Sequence, residues 1–319
     1  MTTTELNLTS PADILAALPH ILGYIPTDDL IALTFDTAHT TPHITLRAAI
    51  RAPLTLTDDD AHRFPDLCGL TADRTPGALL IAITPEHRSA PTAHLLATVR
   101  TALHRTGILV HRTLTTATVT DAGHWLDPDT GHHGATKPYT DSAATALGVL
   151  QGRVIAASRQ AMADEFTEAE LAPEVDTDDL PSVAAQTAAD LQRVISENGH
   201  PSTDLAARTA LVVSAHVGLR DELLRLGADH ELAAARTWTL IAAHHRGRRR
   251  AELLAMAALT YYAAQDTVRT GLALHNAREA LDHDAELPTL ALLTEHALQT
   301  ALPPSRIRTL LTRDDSSRT

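Results

Sequence analysis

A chain of 319 residues with 44% hydrophobic content can bury about two domains' worth of core, and its single cysteine, Cys68, excludes an internal disulfide. A formal net charge of −13 with only two Trp, four Tyr and three Phe disfavours nucleic acid, since phosphates need a positive footprint and single strands need stacking platforms. No run of about 18 apolar residues exists to cross a bilayer. The opening MTTTELNLTS lacks the basic region and apolar core of a signal peptide, so the expected location is the cytoplasm, with no membrane partner.

Residues 4–9 read as a first strand. Ser10 then caps a helix, Pro11 suits its first position and Asp13 sits at the positive end of its dipole. Ile14, Leu15, Leu18, Ile21 and Leu22 recur at helical spacing, so one face is buried. Pro19 should kink or end the helix, and Gly23 can take the left-handed conformation that closes it. Leu30 to Phe35 is a mostly buried strand. Asp28 and Asp29 just before it are either a polar pair aimed from the strand edge at a ligand or turn acids that cap backbone.

The run Pro-His-Ile-Leu-Gly-Tyr-Ile-Pro-Thr-Asp-Asp-Leu-Ile-Ala-Leu resembles the opening of an actinobacterial family of unknown function, number 4192 in the unknown-function series. That family ends a helix in Leu-Gly-Phe-x-Pro-x-Asp-Ser-Leu-Val. Leu22, Gly23, Pro26, Asp28 and Leu30 fit, whereas Tyr24 replaces the Phe and Asp29 the Ser. Gly123-His124-Trp125 is similar to a Gly-Arg-Trp on a late strand of the family. Gly152-Arg153-Val154 with Ser158-Arg159, and Leu219-Arg220-Asp221, match further along. The resemblance spans nearly the whole chain and implies an architecture but no activity.

After a loop over 36–43, residues 43–51 form a second strand able to pair back as a hairpin. Asp58, Asp59 and Asp60 open a short helix, where acids are first a dipole effect; as consecutive helical residues they point to different sides, which argues against a metal. Residues 77–84 are a buried strand, a helix opens at Ser89 or Pro91 and ends at Gly107, and 108–119 is a long strand. Alternating strands and helices predict a layered, sandwich-like α/β domain with a mixed sheet. A polar loop over 121–140 and a helix over 141–165 complete it, giving a domain of 1–165.

An acidic linker over 166–181 follows. From 182 to 312 only helical periodicity remains, over 182–197, 202–217, 219–226, 229–245, 248–264, 267–282, 287–301 and 304–312, with breaks at Gly199-His200-Pro201, Gly227, Gly247, Pro288 and Pro303-Pro304. The predicted fold class is therefore α/β plus all-α. The pair 248–282 is TPR-like, with Tyr261-Tyr262 followed by Ala273, Ala277 and Ala280 at small-residue spacing. The tail 313–319 is expected to be disordered.

Motifs for catalysis are absent: no GxxxxGK[ST], no GxGxxG after a strand, no GxSxG and no HExxH. Cys68, six residues after His62, is either a thiol of a thiol–His pair or a small buried hydrophobe. The loop 123–134 gathers His124, Asp127, Asp129, His132 and His133, side chains able to hold a divalent metal, where the related family tends to place cysteines after its Trp. The same Asp-Pro-Asp-Thr-Gly is also a good turn, so no cofactor is expected beyond that metal. Arg246, Arg248, Arg249 and Arg250 form the basic block, which either contacts an acidic partner or offsets a helix dipole. The expected function is a non-catalytic protein-interaction or scaffold protein, bound to a protein partner or to further copies of itself. The alternative is an enzyme or a small-molecule or metal-binding protein whose site, at the strand ends, includes Asp28, Asp29, His124 and Trp125.

Overall fold

A computed structural model describes residues 8–36, 45–85, 88–150, 152–300 and 302–312. The strand expected over 4–9 lies almost wholly outside the described residues, as do most of the 36–43 loop and the tail 313–319. The chain divides into two compact units, Met1–Arg159 and Gln160–Thr319.

The first unit starts with α1 (Pro11–Leu22). Its N-cap Ser10 accepts the Asp13 N–H, and Lys137 reaches back to the Asp13 carboxylate at 2.8 Å. Those two partners, Lys137 first and Ser10 second, hold the Asp13 carboxyl below the usual range. Pro19 sits inside the helix without ending it. The helix closes at Gly23, whose φ of 77° is left-handed and whose N–H returns to the Pro19 carbonyl.

Among the described residues six strands follow: β1 (Asp29–Asp36), β2 (Thr45–Pro53), β3 (Gly77–Ile83), β4 (Leu109–Thr116), β5 (Gly123–Leu126) and β6 (His133–Thr136). Their order is β2-β1-β3-β4-β5-β6. Only β3 and β4 pair in parallel, joined by α4 (Ser89–Arg105); the other pairs are antiparallel. On one face Leu30, Ala32, Leu80 and Ala82 pack with Leu96 and Val99 of α4 and with Phe64 in the short α3 (Phe64–Leu67), which follows α2 (Asp58–His62). Ile31, Leu33, Leu79, Ile81 and Ile83 on the opposite face are buried too. A strand buried on both faces reads as an unbroken apolar run, and Gly77–Ile83 is buried throughout.

Two expectations need correction. The 121–140 loop is the β5–β6 hairpin: Trp125 lies opposite Gly134, where an added Cβ would fall 2.8 Å from the indole nitrogen. Four-residue strands alternate too briefly to register as a period. The helix expected over 141–165 is broken into α5 (Ala143–Leu150) and α6 (Arg159–Asp164). Gly152 turns the chain with φ 67°, and Ala156 then bonds the backbone on both sides of Tyr24, its N–H to the Gly23 carbonyl and its carbonyl to the Ile25 N–H. Backbone polar groups at the turn after α1 need partners, and satisfying them outweighs continued helix.

The second unit holds α7 (Leu180–Ser196), α8 (Thr203–Ala215), α9 (Val217–Arg225), α10 (Glu231–Ala243), α11 (Gly247–Ala263), α12 (Thr267–Glu279), α13 (Thr289–Gln299) and α14 (Pro304–Thr312). No strand occurs among its described residues. The helix α11 is buried on every side and packs against α8, α10, α12, α13 and α14. Among the described residues no helix is long and apolar enough to cross a membrane.

Two glycines test the backbone reading with opposite signs. Gly23→Ala forces a Cβ into a left-handed position and should cost about 1 kcal/mol in urea denaturation. Gly271→Ala, in α12 with nothing within 4 Å of the new Cβ, should stabilise by up to about 1 kcal/mol. Equal midpoints would contradict both assignments.

The buried phenols set an alkaline limit. Burial, then the charge of Asp29, raises Tyr24 well above its usual value; burial pushes Tyr261 up to about 12 and raises Tyr262. The folded state holds these protons after the unfolded chain has lost them, near pH 10. Stability is therefore full below that pH and falls as pH rises through the folded values. The urea midpoint should drop steadily above about pH 10, with phenolate absorbance appearing together with unfolding. A flat midpoint would overturn this.

Candidate functional site

The end of the sheet where β3 and β4 finish also holds the start of β1, because Asp29 pairs with Ile83. In open α/β sheets this is where ligands bind. Asp29 is buried, with Oδ1 accepting from Arg51 Nε at 2.5 Å and Oδ2 facing the buried Tyr24 hydroxyl at 3.4 Å. Asp28 has a left-handed φ of 53°, its carbonyl accepts the Leu54 N–H, and its exposed carboxylate lies 3.4 Å from Arg88. The two acids are thus separated: Asp29 is engaged inside, and Asp28 faces solvent. The Tyr24 and Arg51 partners could not be read from the sequence, since Arg51 comes from the neighbouring strand.

The hairpin residues diverge. Asp127 is buried and its carboxylate accepts the N–H groups of Asp129 and Thr130, an Asx turn, with Arg112 at 3.8 Å. Asp129 pairs with Arg100. His124, His132 and His133 are exposed, and Trp125 is half-buried against Gly134. Among the described residues no three His, Cys, Asp or Glu side chains are placed to hold a metal. Burial pushes the Cys68 thiol up to about 11, which makes it a poor nucleophile, and His62 is bonded to the Asp58 carbonyl.

The basic block is not one exposed patch, which corrects the reading of Arg250. Its guanidinium is buried and donates to the carbonyls of Ala242 at 2.8 Å and Phe166 at 2.6 Å, with Glu168 at 3.5 Å. Arg246 pairs with Glu168 and donates to the Ala169 carbonyl, and Arg248 pairs with Glu252. Arg249 is exposed. A second buried guanidinium, Arg269, forks Glu165 with two bonds of 2.6 Å and reaches Asp266 at 2.8 Å. Ala169 and Ala172 donate to the carbonyls of Ala243 and His244. The stretch read as the start of a linker is thereby strapped to the helical unit. Arg220 is held by its neighbour Asp221 at 2.7 Å.

A groove of about 400 Å³ remains in the helical unit. One wall is Pro181, Ala184, Ala185 and Ala188 of α7; the other is Leu219, Glu222 and Leu223 of α9 with Leu226 just beyond it. Both sets are spaced i, i+3, i+4, i+7, one stripe of a helix each. Val212 of α8, fully buried, lies between them. The alanines leave space that larger side chains would fill. Sequence reasoning missed the groove, although the paired stripes are visible once the two helices are known to face each other.

A mixed-sheet α/β unit followed by an all-α unit, with these matched residues in place, defines the class. The chain belongs to the family described as Domain of unknown function (DUF4192), whose model matches residues 11–305. Comparison with curated proteins and with solved structures returned no match.

The two neighbouring arginines separate structural from surface roles. Arg250→Ala leaves two buried carbonyls without their charged donor and should cost about 3 kcal/mol. Arg249→Ala should stay within about 0.5 kcal/mol. Chemical denaturation of both variants checks this; a neutral Arg250→Ala would return that residue to the surface.

Proposed function

We propose that this protein is a non-catalytic, cytoplasmic protein-interaction protein whose binding surface lies on its helical unit. The observation that carries the reading is the groove between α7 and α9: two facing helical stripes, mostly apolar, with unfilled space between them. Apolar concavities with a polar edge mark interaction sites, and helix-in-groove docking reads its partner through anchors at helical spacing. The basic block contributes less than its composition suggests, since Arg250 is buried and Arg246 and Arg248 are paired internally.

The competing reading is a small-molecule site at the strand ends. It is favoured by Asp28 and Arg88 standing exposed or half-exposed beside the buried Asp29 and its exposed partner Arg51. The two readings differ in which residues matter. Ala185 is exposed on a regular helix, so Ala185→Arg obstructs the groove without touching the core. Affinity capture from host lysate, followed by calorimetry with the purified partner, should give a complex that Ala185→Arg weakens at least about tenfold, 1.4 kcal/mol. A complex indifferent to Ala185→Arg, or turnover of a substrate that depends on Asp28 or Arg88, would overturn the proposal.

A further inference from the structure

Resting on the interaction role proposed above, we infer that the α7–α9 groove accepts a basic amphipathic helix belonging to another protein. Three features select that occupant. First, the walls are two helical stripes and contain no aromatic residue. Polyproline segments dock against aromatic-lined grooves, and extended peptides add to sheet edges, so both fit this surface poorly. Second, the α7 wall is alanine and proline, which supply shape but little bulk, so the partner must bring the large apolar side chains. Leu219 and Leu223 on the α9 wall give them an apolar surface to meet.

Third, the charge around the groove is negative. Glu222 is exposed on the α9 wall. At the other side, the chain enters α7 through Glu174, Asp176, Asp178 and Asp179, all exposed, and reaches the groove at Pro181. Asp179 is used as the helix cap, accepting the Ser182 N–H, which leaves the other three facing solvent. Of the two arginines of α9, Arg220 is taken up by Asp221, and Arg225 is half-buried with an interaction of its own. A second copy of this chain fits badly, because it carries 39 acidic residues against 26 basic ones and would bring like charge to the rim. Lysines or arginines flanking the apolar stripe of a partner helix match Glu222 on one wall and Asp176 and Asp178 at the other.

The test uses three fluorescein-labelled synthetic peptides of about 18 residues, five helical turns: an amphipathic Leu/Lys helix, the same pattern in Leu/Glu, and a scrambled Leu/Lys peptide without an apolar face. Binding is read by anisotropy against the full chain, Ala185→Arg and Glu222→Lys, each first shown to keep the wild-type melting temperature. The Leu/Lys helix should bind wild type, bind each variant at least tenfold more weakly, and bind more weakly as salt rises; the other peptides should not bind. Unchanged Leu/Lys affinity in both variants, equal binding of the scrambled peptide, or no binding at all overturns the inference. Groove-dependent binding of the Leu/Glu helix overturns the basic partner and leaves the interaction role standing. Sedimentation velocity provides the remaining arm: a dimer that Ala185→Arg dissociates assigns the groove to a second copy and overturns the inference.

Discussion

Asp29 starts the strand on which both neighbouring pairings depend, and its carboxylate is buried. An isolated buried anion costs several kcal/mol, so its position requires Arg51 from β2 and is completed by Tyr24 from the turn after α1. Those partners tie three pieces of the unit together. Arg51 is on the third rung from the end of β2, opposite Ile31, so the ion pair sets the β1–β2 register from one end. Tyr24 is held by backbone bonds from Ala156 on both sides, so the turn is braced by a segment more than a hundred residues later. The left-handed Gly23 allows the chain to reverse sharply enough for Tyr24 to reach Asp29.

The helical unit uses the same device with the opposite charge. Arg250 and Arg269 are buried on α11 and α12, and each finds part of its partners in the stretch before α7. Phe166 lies against Tyr261 with ring centroids 6.2 Å apart, so the strap is anchored by an aromatic contact between the two guanidinium sites. Arg250 sits first in a chemical sense: removing it would expose two carbonyls to an apolar interior, whereas removing a surface arginine changes only hydration. The outcome is a helical unit to which residues 165–172 are tied ahead of α7.

That arrangement bears on recognition. The helix α11 is packed on every side, and the outer helices α7 and α9 meet with alanines on the α7 wall and leucines on the α9 wall. The small side chains of the α7 alanines leave the space beside the α9 leucines unfilled. Space is left over, and it is apolar. A partner helix that supplied the missing bulk would fill it, as the proposed role requires.

The sequence by itself determined the helices of the second unit, the glycine closure after α1 and the buried strands, because those depend on short-range periodicity and backbone preference. Gly23 is free to be left-handed because it lacks a Cβ, and the unbroken apolar run Gly77–Ile83 calls for cover on both faces. Tertiary structure alone decided what depends on partners distant in the chain. The 141–165 helix broke because Ala156 was recruited by Gly23 and Ile25, and the hairpin formed because Trp125 had Gly134 to cover. Arg250 and Arg249 are neighbours with the same chemistry, yet one is buried under the strap and the other is in water. The candidate site followed the same division. Its stripes were local patterns in α7 and α9, but a groove exists only when packing turns two such stripes toward each other, and no local interaction encodes that orientation.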